Sequence, residues 1–139
     1  MGLDMYAFTI AKSEQFPDAN SLTNPPEIDK ENDPRKDSYK EIMYWRKHPN
    51  LHGWMESKWL ARCINRPGEW SDFNCVDLGL TEEDIDELEK VVNGGELPKT
   101  TGFFFGESVP EDKELDLEFI QKAREAFAEG KLVGYTSWW

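Results

Sequence analysis

Apolar residues are concentrated at both ends of the chain, and between these ends they recur at helical spacing. Residues 3–11 are apolar on both alternating faces, which is typical of a strand covered on both sides. Asp4 interrupts that run, so its carboxylate lies at a frayed end or is buried against a cation. Residues 132–139 are rich in aromatic and β-branched side chains and predict a second strand. The segments 74–78 ("NCVDL") and 102–106 ("GFFFG") predict a short central strand and a buried strand or tight turn.

Between the terminal strands, residues 50–65 carry apolar side chains three and four positions apart, the repeat of an amphipathic helix. We expect this helix to begin at about Asn50, a favourable N-cap residue, and to end near Asn65. Pro67 and Gly68 follow and cannot continue it.

The segment after Leu80 gives the clearest helix signal. Thr81 is a suitable N-cap residue with Asp84 at the capping-box position, and Leu80 can pack against Ile85. Asn93–Gly94 predicts the end of the helix. The side chains predicted to be buried are Ile85, Leu88, Val91 and Val92.

A third helix is predicted over residues 112–129, with Gly130 as the residue that follows its C-cap. Apolar residues again recur at helical spacing along this segment. The side chains predicted to face inward are Leu115, Phe119, Ile120, Ala123 and Phe127.

Together these elements predict an α+β fold. We expect a small antiparallel sheet that includes the N- and C-terminal strands, packed with about three helices. The length of 139 residues suits a single domain, residues 1–139. Residues 12–38 hold four prolines among polar residues and few apolar ones, which predicts an irregular or mobile excursion.

Charge is distributed unevenly in a chain whose net charge is -12. Residues 40–66 hold six basic residues against two acidic ones, whereas residues 81–96 hold seven acidic residues against one basic residue. The overall charge argues against direct binding of nucleic acid or an anionic membrane, because its long-range field repels phosphate. It permits binding to basic protein surfaces, and it also serves solubility. The carboxylates predicted to bind a partner are Glu82, Glu83, Asp86 and Glu87.

The sequence also favours a cytoplasmic location. It has no apolar run of about 18 residues, and its first residues lack the basic start of a signal peptide. Cys63 and Cys75 are too few for a disulfide framework, so we expect free thiols, with a single bridge as the alternative in a secreted protein.

One stretch, residues 42–59 ("IMYWRKHPNLHGWMESKW"), holds three of the six tryptophans and both histidines. An arginine beside an aromatic ring can hold a nucleobase or a phosphate. In the alternative interpretation the tryptophans are core, and Arg46 and Lys47 pair with the acidic helix. The residues predicted to bind a ligand are Tyr44, Trp45, Arg46, Lys47, Asn50 and His52.

Other chemistry has weaker support. His48 and His52 have the spacing of two helical metal ligands, but Pro49 separates them, and Cys63 and Cys75 lack the paired spacing of a zinc site. A nucleophile pair of His52 with either cysteine is a further alternative. No G-x-S-x-G elbow, Walker lysine loop or H-E-x-x-H motif is present. The sequence therefore points to no catalytic residue, metal ligand or cofactor, and a role other than catalysis is preferred.

Several short motifs are spread along the chain: "MGLDMY" at residues 1–6, YWRK followed by Asn50, His52 and Trp54, "NC" at residues 74–75, "GFFFG" and the final "SW". In these motifs the chain resembles a family of small phage- and prophage-encoded proteins that have no established activity. Family members connect the first strand to YWRK by a shorter segment, and His48-Pro49 also departs from their pattern. The resemblance implies a phage context rather than a reaction.

Two functions are consistent with these features. In the first, a phage-type accessory protein binds a host protein through its acidic surface, for example in a nucleic-acid-handling or defence complex. In the second, a pocket around YWRK and His52 binds, sequesters or acts on a nucleotide-like or phosphate-bearing small molecule. The acidity favours the first function and the cluster of residues 42–59 favours the second.

Overall fold

The computed structural model describes residues 2–64, 73–100 and 106–139. Within these ranges, four strands form one antiparallel sheet in the order β2-β1-β4-β3, which confirms the predicted α+β fold. The strands are β1 (Asp4–Ala11), β2 (Lys40–Arg46), β3 (Leu78–Leu80) and β4 (Lys131–Trp138). The helices are α1 (Ala19–Thr23), α2 (Arg35–Ser38), α3 (Pro49–Arg62), α4 (Glu82–Asn93) and α5 (Asp112–Ala128).

The N- and C-terminal strands are direct neighbours in the sheet, as predicted. β1 and β4 pair along their whole length, from Asp4 opposite Trp138 to Ala11 opposite Lys131. Among the described residues, no helix has both the length and the apolar character needed to cross a membrane.

Strand β2 was not predicted from the sequence. It pairs with the side of β1 opposite to β4. Along β2 the burial alternates: Met43 and Trp45 are buried, whereas Tyr44 and Arg46 are exposed. This period of two is the expected pattern of a strand with one covered face. The pattern is short, and the charged residues around it favoured an interpretation as a binding cluster.

The predicted strand at residues 74–78 is wrong, because the observed strand begins only at Leu78. Cys75 has a φ of 61°, a left-handed conformation that a strand cannot contain. The Cys75 N–H instead donates to the carbonyl of Ser137, so this stretch is a turn held against the end of β4.

Helix α3 begins at Pro49, with His48 rather than Asn50 as its N-cap residue. Proline is well tolerated in a first turn because its missing N–H would have no helical partner there. The His48 side chain does not cap the helix, and the N–H of Asn50 donates to the hydroxyl of Ser108. The helix ends at Arg62, and the predicted end at Asn65 lies outside the described residues.

Helix α4 has the predicted capping box, in which Thr81 and Asp84 each accept a hydrogen bond from the other's backbone N–H. Burial raises the pKa of Asp84, but hydrogen bonds from Arg62 and from Thr81 lower it by more, so the carboxylate stays charged. Among the predicted inward side chains, Ile85, Leu88 and Val92 are buried and Val91 is half-buried.

Helix α5 differs from the prediction on its inward face. Leu115 is exposed, whereas Asp112 and Asp116 are buried. The carboxylates can be buried because polar groups of other segments bind them, as described below. Gly130 has a φ of 76°, as expected for the residue after a helix C-cap, and "GFFFG" lies outside the described residues except for Gly106.

The sheet has an inner face and an outer face with separate cores. We call the inner face the side that carries Met5, Ala7, Trp45 and Tyr135, because α3, α4 and α5 pack there around the main core. On the outer face a second, smaller core contains Phe8, Ile10, Phe16, Leu22 and Leu132.

Two glycines allow the outer face to be covered closely. A Cβ on Gly79 would lie 1.8 Å from the carbonyl oxygen of Ala19, so the backbone of α1 packs directly on β3. A Cβ on Gly134 would lie 2.4 Å from the ring of Phe8, so this ring packs directly against the backbone of β4. This cover extends over only half of the outer face.

The cover comes from residues 12–38, which contain more local structure than predicted. They include α1, α2 and a 3₁₀ turn at Lys30–Asn32, and they bury Phe16 and Leu22. The mobility of this segment remains a prediction. Because the fully buried side chains of this segment all lie at residues 16–23, amide hydrogen exchange should be slower there than at residues 24–37. Uniformly strong protection across the segment would contradict it.

Candidate functional site

The six residues predicted to bind a ligand do not come together in the structure. β2 is a strand, so Tyr44 and Arg46 point to the outer face while Trp45 points to the inner face. His52 lies in α3 and packs on the inner face. Arg46 and His52 are therefore on opposite faces of the sheet and cannot line one pocket.

The uncovered half of the outer face forms a continuous surface of polar and aromatic side chains. Two cross-strand rows build it, one along Arg46, Asp4 and Trp138, the other along Tyr44, Tyr6 and Thr136. The exposed fraction is 59% for Trp138 and 41% for Tyr44. We call this surface the open face, and its residues are Asp4, Tyr6, Tyr44, Arg46, Thr136 and Trp138.

Asp4 holds the centre of the open face together. Its Oδ1 accepts a hydrogen bond from the Tyr44 hydroxyl at 2.6 Å and lies 3.3 Å from Nη1 of Arg46. The carboxylate is thus buried against a cation, one of the two predicted placements. The Arg46 side chain is still 53% exposed. The hydrogen bond to Asp4 raises the pKa of Tyr44, so its hydroxyl stays protonated at neutral pH.

Next to the open face, α2 packs against β1 on the same side of the sheet. The ring of Tyr39 stacks on Phe8 at a centroid distance of 4.9 Å and is itself exposed. Beside this pair is a cavity of about 400 Å³, whose lining includes Arg35 and Asp77. Burial raises the pKa of Asp77, and the charge of Arg35 opposes that shift.

The four carboxylates predicted to bind a partner lie on α4, on the other side of the molecule. Glu82 and Glu83 are exposed, whereas Glu87 pairs with Lys58 and Asp86 pairs with Arg124. Two of the four charges are thus already matched within the chain. The basic partners of α4 are Lys58, Arg62 and Arg124, and Arg46 pairs instead with Asp4, so the expected pairing of Arg46 with the acidic helix is wrong.

His52 is a core residue. Its side chain is fully buried, its Nδ1 is 2.6 Å from the Tyr135 hydroxyl, and its ring stacks on Phe73. Burial lowers its pKa to about 4, so the ring is neutral at pH 7. Cys63 and Cys75 are not bonded to each other, although both line a cavity of about 360 Å³.

His48 is the centre of a different polar cluster, on the inner face. Its Nε2 is 2.9 Å from Oδ2 of Asp116, and its Nδ1 is 2.6 Å from the hydroxyl of Ser108. The other oxygen of Asp116 accepts a hydrogen bond from Nε1 of Trp45 at 3.1 Å. We call these four residues the His48 network.

Most residues of the open face and of the His48 network were not among the site residues predicted from the sequence. Asp116 lies on the same helical face as Phe119, Ile120 and Ala123, and a carboxylate at such a position indicates a buried polar contact. The sequence does not say which donors it meets, because His48 is 68 residues away. Trp138 was assigned to a strand, but only the arrangement of the elements shows which half of the outer face is left uncovered.

Comparison with known proteins assigns no function to this geometry. No family model matches the chain, and neither a curated protein nor a solved structure matches it.

Proposed function

We propose that this protein acts by binding a basic host protein, and that the partner docks on the open face. The observation that carries the proposal is that Trp138, Tyr44 and Arg46 are all exposed on the same face of a hydrogen-bonded sheet. Tryptophan, tyrosine and arginine are the residues that most often dominate the binding energy of protein interfaces.

The contrast within the outer face supports this assignment. One half is packed under α1 and Phe16, whereas the other half presents two large aromatic side chains to solvent. Exposed aromatic patches on a folded domain commonly mark interaction surfaces. The paired strands beneath the patch hold it rigid, so little conformational entropy is lost when a partner binds.

Charge indicates the chemistry of the partner. The chain carries a net charge of -12, which attracts basic surfaces over long range and repels nucleic acid and anionic lipid. Asp4 balances Arg46 within the open face, so the patch does not offer an unmatched positive charge to a phosphate. We therefore infer a protein partner with a basic rim around an apolar centre.

The host context rests on the resemblance to phage-encoded proteins. Small accessory proteins of phages often act on host machinery, and a basic surface that normally holds nucleic acid is the kind of target that an acidic protein can occupy. A nucleic-acid-handling or defence complex is the class of host protein that we propose.

Site-specific photo-cross-linking tests this proposal. A photoreactive phenylalanine analogue at position 44 places the probe on the open face, and the same analogue at Glu118, an exposed position on α5, is the matched control. After irradiation in host lysate, we expect one basic protein to be cross-linked from position 44 and not from position 118. Untagged wild-type protein should compete with it.

Two variants then assign the contact to a surface. Trp138→Ser should reduce capture of the cross-linked protein at least tenfold without changing the fold, because the side chain packs little in the free protein. Joint neutralisation of Glu82, Glu83, Asp86 and Glu87 should lower the association rate and its salt dependence and leave the cross-link site unchanged. Capture that survives Trp138→Ser but is lost in the neutralised variant would overturn the open face as the docking site.

The small-ligand function is tested with the same proteins. Tyr44 and Arg46 are the two predicted ligand residues that share a face, and a nucleotide would have to stack and pair there. Thermal melting of wild type and Arg46→Ala with a panel of nucleotides distinguishes the two functions. A stabilisation that is lost in Arg46→Ala would favour a nucleotide ligand over a protein partner.

A further inference from the structure

The His48 network has the arrangement of an activated nucleophile. Three of its four members have the functional groups of such a site: His48 between β2 and α3, Ser108 before α5, and Asp116 within α5. A nucleophile within hydrogen-bonding reach of a base, with the base oriented by a third group, is the geometry that defines such sites.

The hydrogen bonds of Asp116 fix the proton on the histidine. Oδ1 of Asp116 accepts from Trp45, and Oδ2 accepts from Nε2–H of His48. With the proton on Nε2, the lone pair of Nδ1 faces the Ser108 hydroxyl, which therefore donates to it at 2.6 Å. His48 is thus set to accept the serine proton.

The surroundings suit the charges that a reaction would create. Ser108 is half-buried, whereas His48 and Asp116 are 2% and 1% exposed. The N–H of Asn50, in the first turn of α3, donates to the Ser108 oxygen and holds the hydroxyl beside His48. Asp112, whose Oδ2 is 3.4 Å from Nδ1 of His48, adds a second carboxylate beside the imidazolium.

We propose that Ser108 is a catalytic nucleophile, with His48 as its base and Asp116 as the positioning residue, and that the substrate class is an acyl ester. The Ser108 oxygen attacks the ester carbonyl while its proton passes to Nδ1 of His48. The C–O bond to the alcohol breaks, and the alcohol leaves with that proton. Water then hydrolyses the serine ester by the same route, which releases the acid and restores the serine.

Covalent labelling of the full chain tests the nucleophile directly. Diisopropyl fluorophosphate forms a P–O bond with an activated serine as the P–F bond breaks and fluoride leaves. We expect one adduct per chain by intact mass, located at Ser108 by peptide mapping, and hydrolysis of p-nitrophenyl acetate that falls to background in Ser108→Ala. Ser57→Ala is the matched control, because Ser57 is exposed and bonds only to a helix carbonyl in the described structure.

Asp116→Asn tests the positioning role. Its amide would offer a donor to Nε2 and shift the histidine proton to Nδ1, where it would block transfer from Ser108. Labelling of Ser108 by diisopropyl fluorophosphate should slow by about 10²–10⁴-fold. The pH dependence of the labelling rate should also change, which a purely structural change would not produce.

Ser108→Cys provides an independent test, which also applies if Asp116→Asn fails to fold. Its thiol should react with iodoacetamide at least tenfold faster than the exposed Cys75 of the same chain at pH 7, because His48 accepts its proton. Equal rates at the two thiols would overturn the proposal. So would the lack of an adduct at Ser108 under conditions that fully label a known serine esterase, or labelling of Ser108 at the wild-type rate in folded Asp116→Asn.

Discussion

Three consecutive residues of β2 point alternately to the two faces of the sheet. Trp45 is 1% exposed on the inner face, and its indole N–H is bound by Asp116, whereas Tyr44 and Arg46 on either side of it are exposed on the open face. The inner face uses its polar groups to satisfy one another inside a core. The open face offers them to solvent and to other molecules. The same aromatic and charged residue types are therefore buried and paired on one face and accessible to solvent on the other.

The surroundings of a side chain, rather than its residue type, decide its role on the two faces. A buried polar group costs free energy unless it is paired, so the inner face tolerates few changes. Arg46 is half exposed in its pair with Asp4, and a solvent-accessible partner of this kind contributes little to stability, so the exposed residues of the open face can vary at small cost to the fold. Variants on the two faces should consequently separate folding from binding.

Deletion of residues 135–139 should have the largest effect. It removes the fully buried Tyr135 and half of the β1–β4 pairing, and losing one large buried aromatic side chain alone costs about 3–5 kcal/mol. Small domains are stable by only about 5–15 kcal/mol, so we expect the truncated chain not to fold. A cooperative thermal transition near the wild-type temperature would show that the terminal strand is dispensable.

Asp116→Ala should be the most damaging single substitution on the inner face outside the apolar core. It leaves the indole N–H of Trp45 and the ring of His48 without their carboxylate, and each unsatisfied buried donor costs about 1–3 kcal/mol. Urea unfolding should show a loss of about 2–5 kcal/mol. Glu118→Ala on the exposed side of α5 is the control and should stay within about 0.5 kcal/mol of wild type.

Acid should destabilise the inner face through His52. Its folded pKa is about 4, below the unfolded value of 6.5, so the unfolded chain binds the proton first. The contribution of His52 to the free energy of unfolding is complete above about pH 6.5. It falls by about 2–3 kcal/mol as the pH is lowered towards 4. Chemical unfolding from pH 7 to 4 measures this slope, and it should flatten in His52→Gln. An unchanged slope in that variant would assign the loss to other groups.

Arg46→Ala on the open face should have the smallest effect. The side chain is half exposed and its pairing with Asp4 is screened by water, so we expect a loss of no more than about 1 kcal/mol. A loss as large as that of Asp116→Ala would mean that the open face is a structural surface, and it would remove the distinction between the two faces.

Parts of the candidate site were predictable and parts were not. Tyr44 and Arg46 were identified because a ring beside a guanidinium is visible in the sequence. Their separation from His52 was not predicted, because β2 was not recognised and a strand sends neighbouring side chains to opposite faces. Ser108 carried no local signal, and the position of Asp116 on an apolar helix face did not indicate its partner, because His48 is distant in the chain.

The sequence by itself determined what depends on near neighbours. The capping box of α4, the glycine after α5, the two terminal strands and the acidic net charge all follow from residues a few positions apart or from composition. The tertiary structure alone decided which half of the outer face α1 covers, which cation binds Asp4 and which hydroxyl meets His48. These contacts join segments 40 to 60 or more residues apart. Their free energy comes from burial and hydrogen bonding in the assembled fold, and no local pattern of residues encodes it.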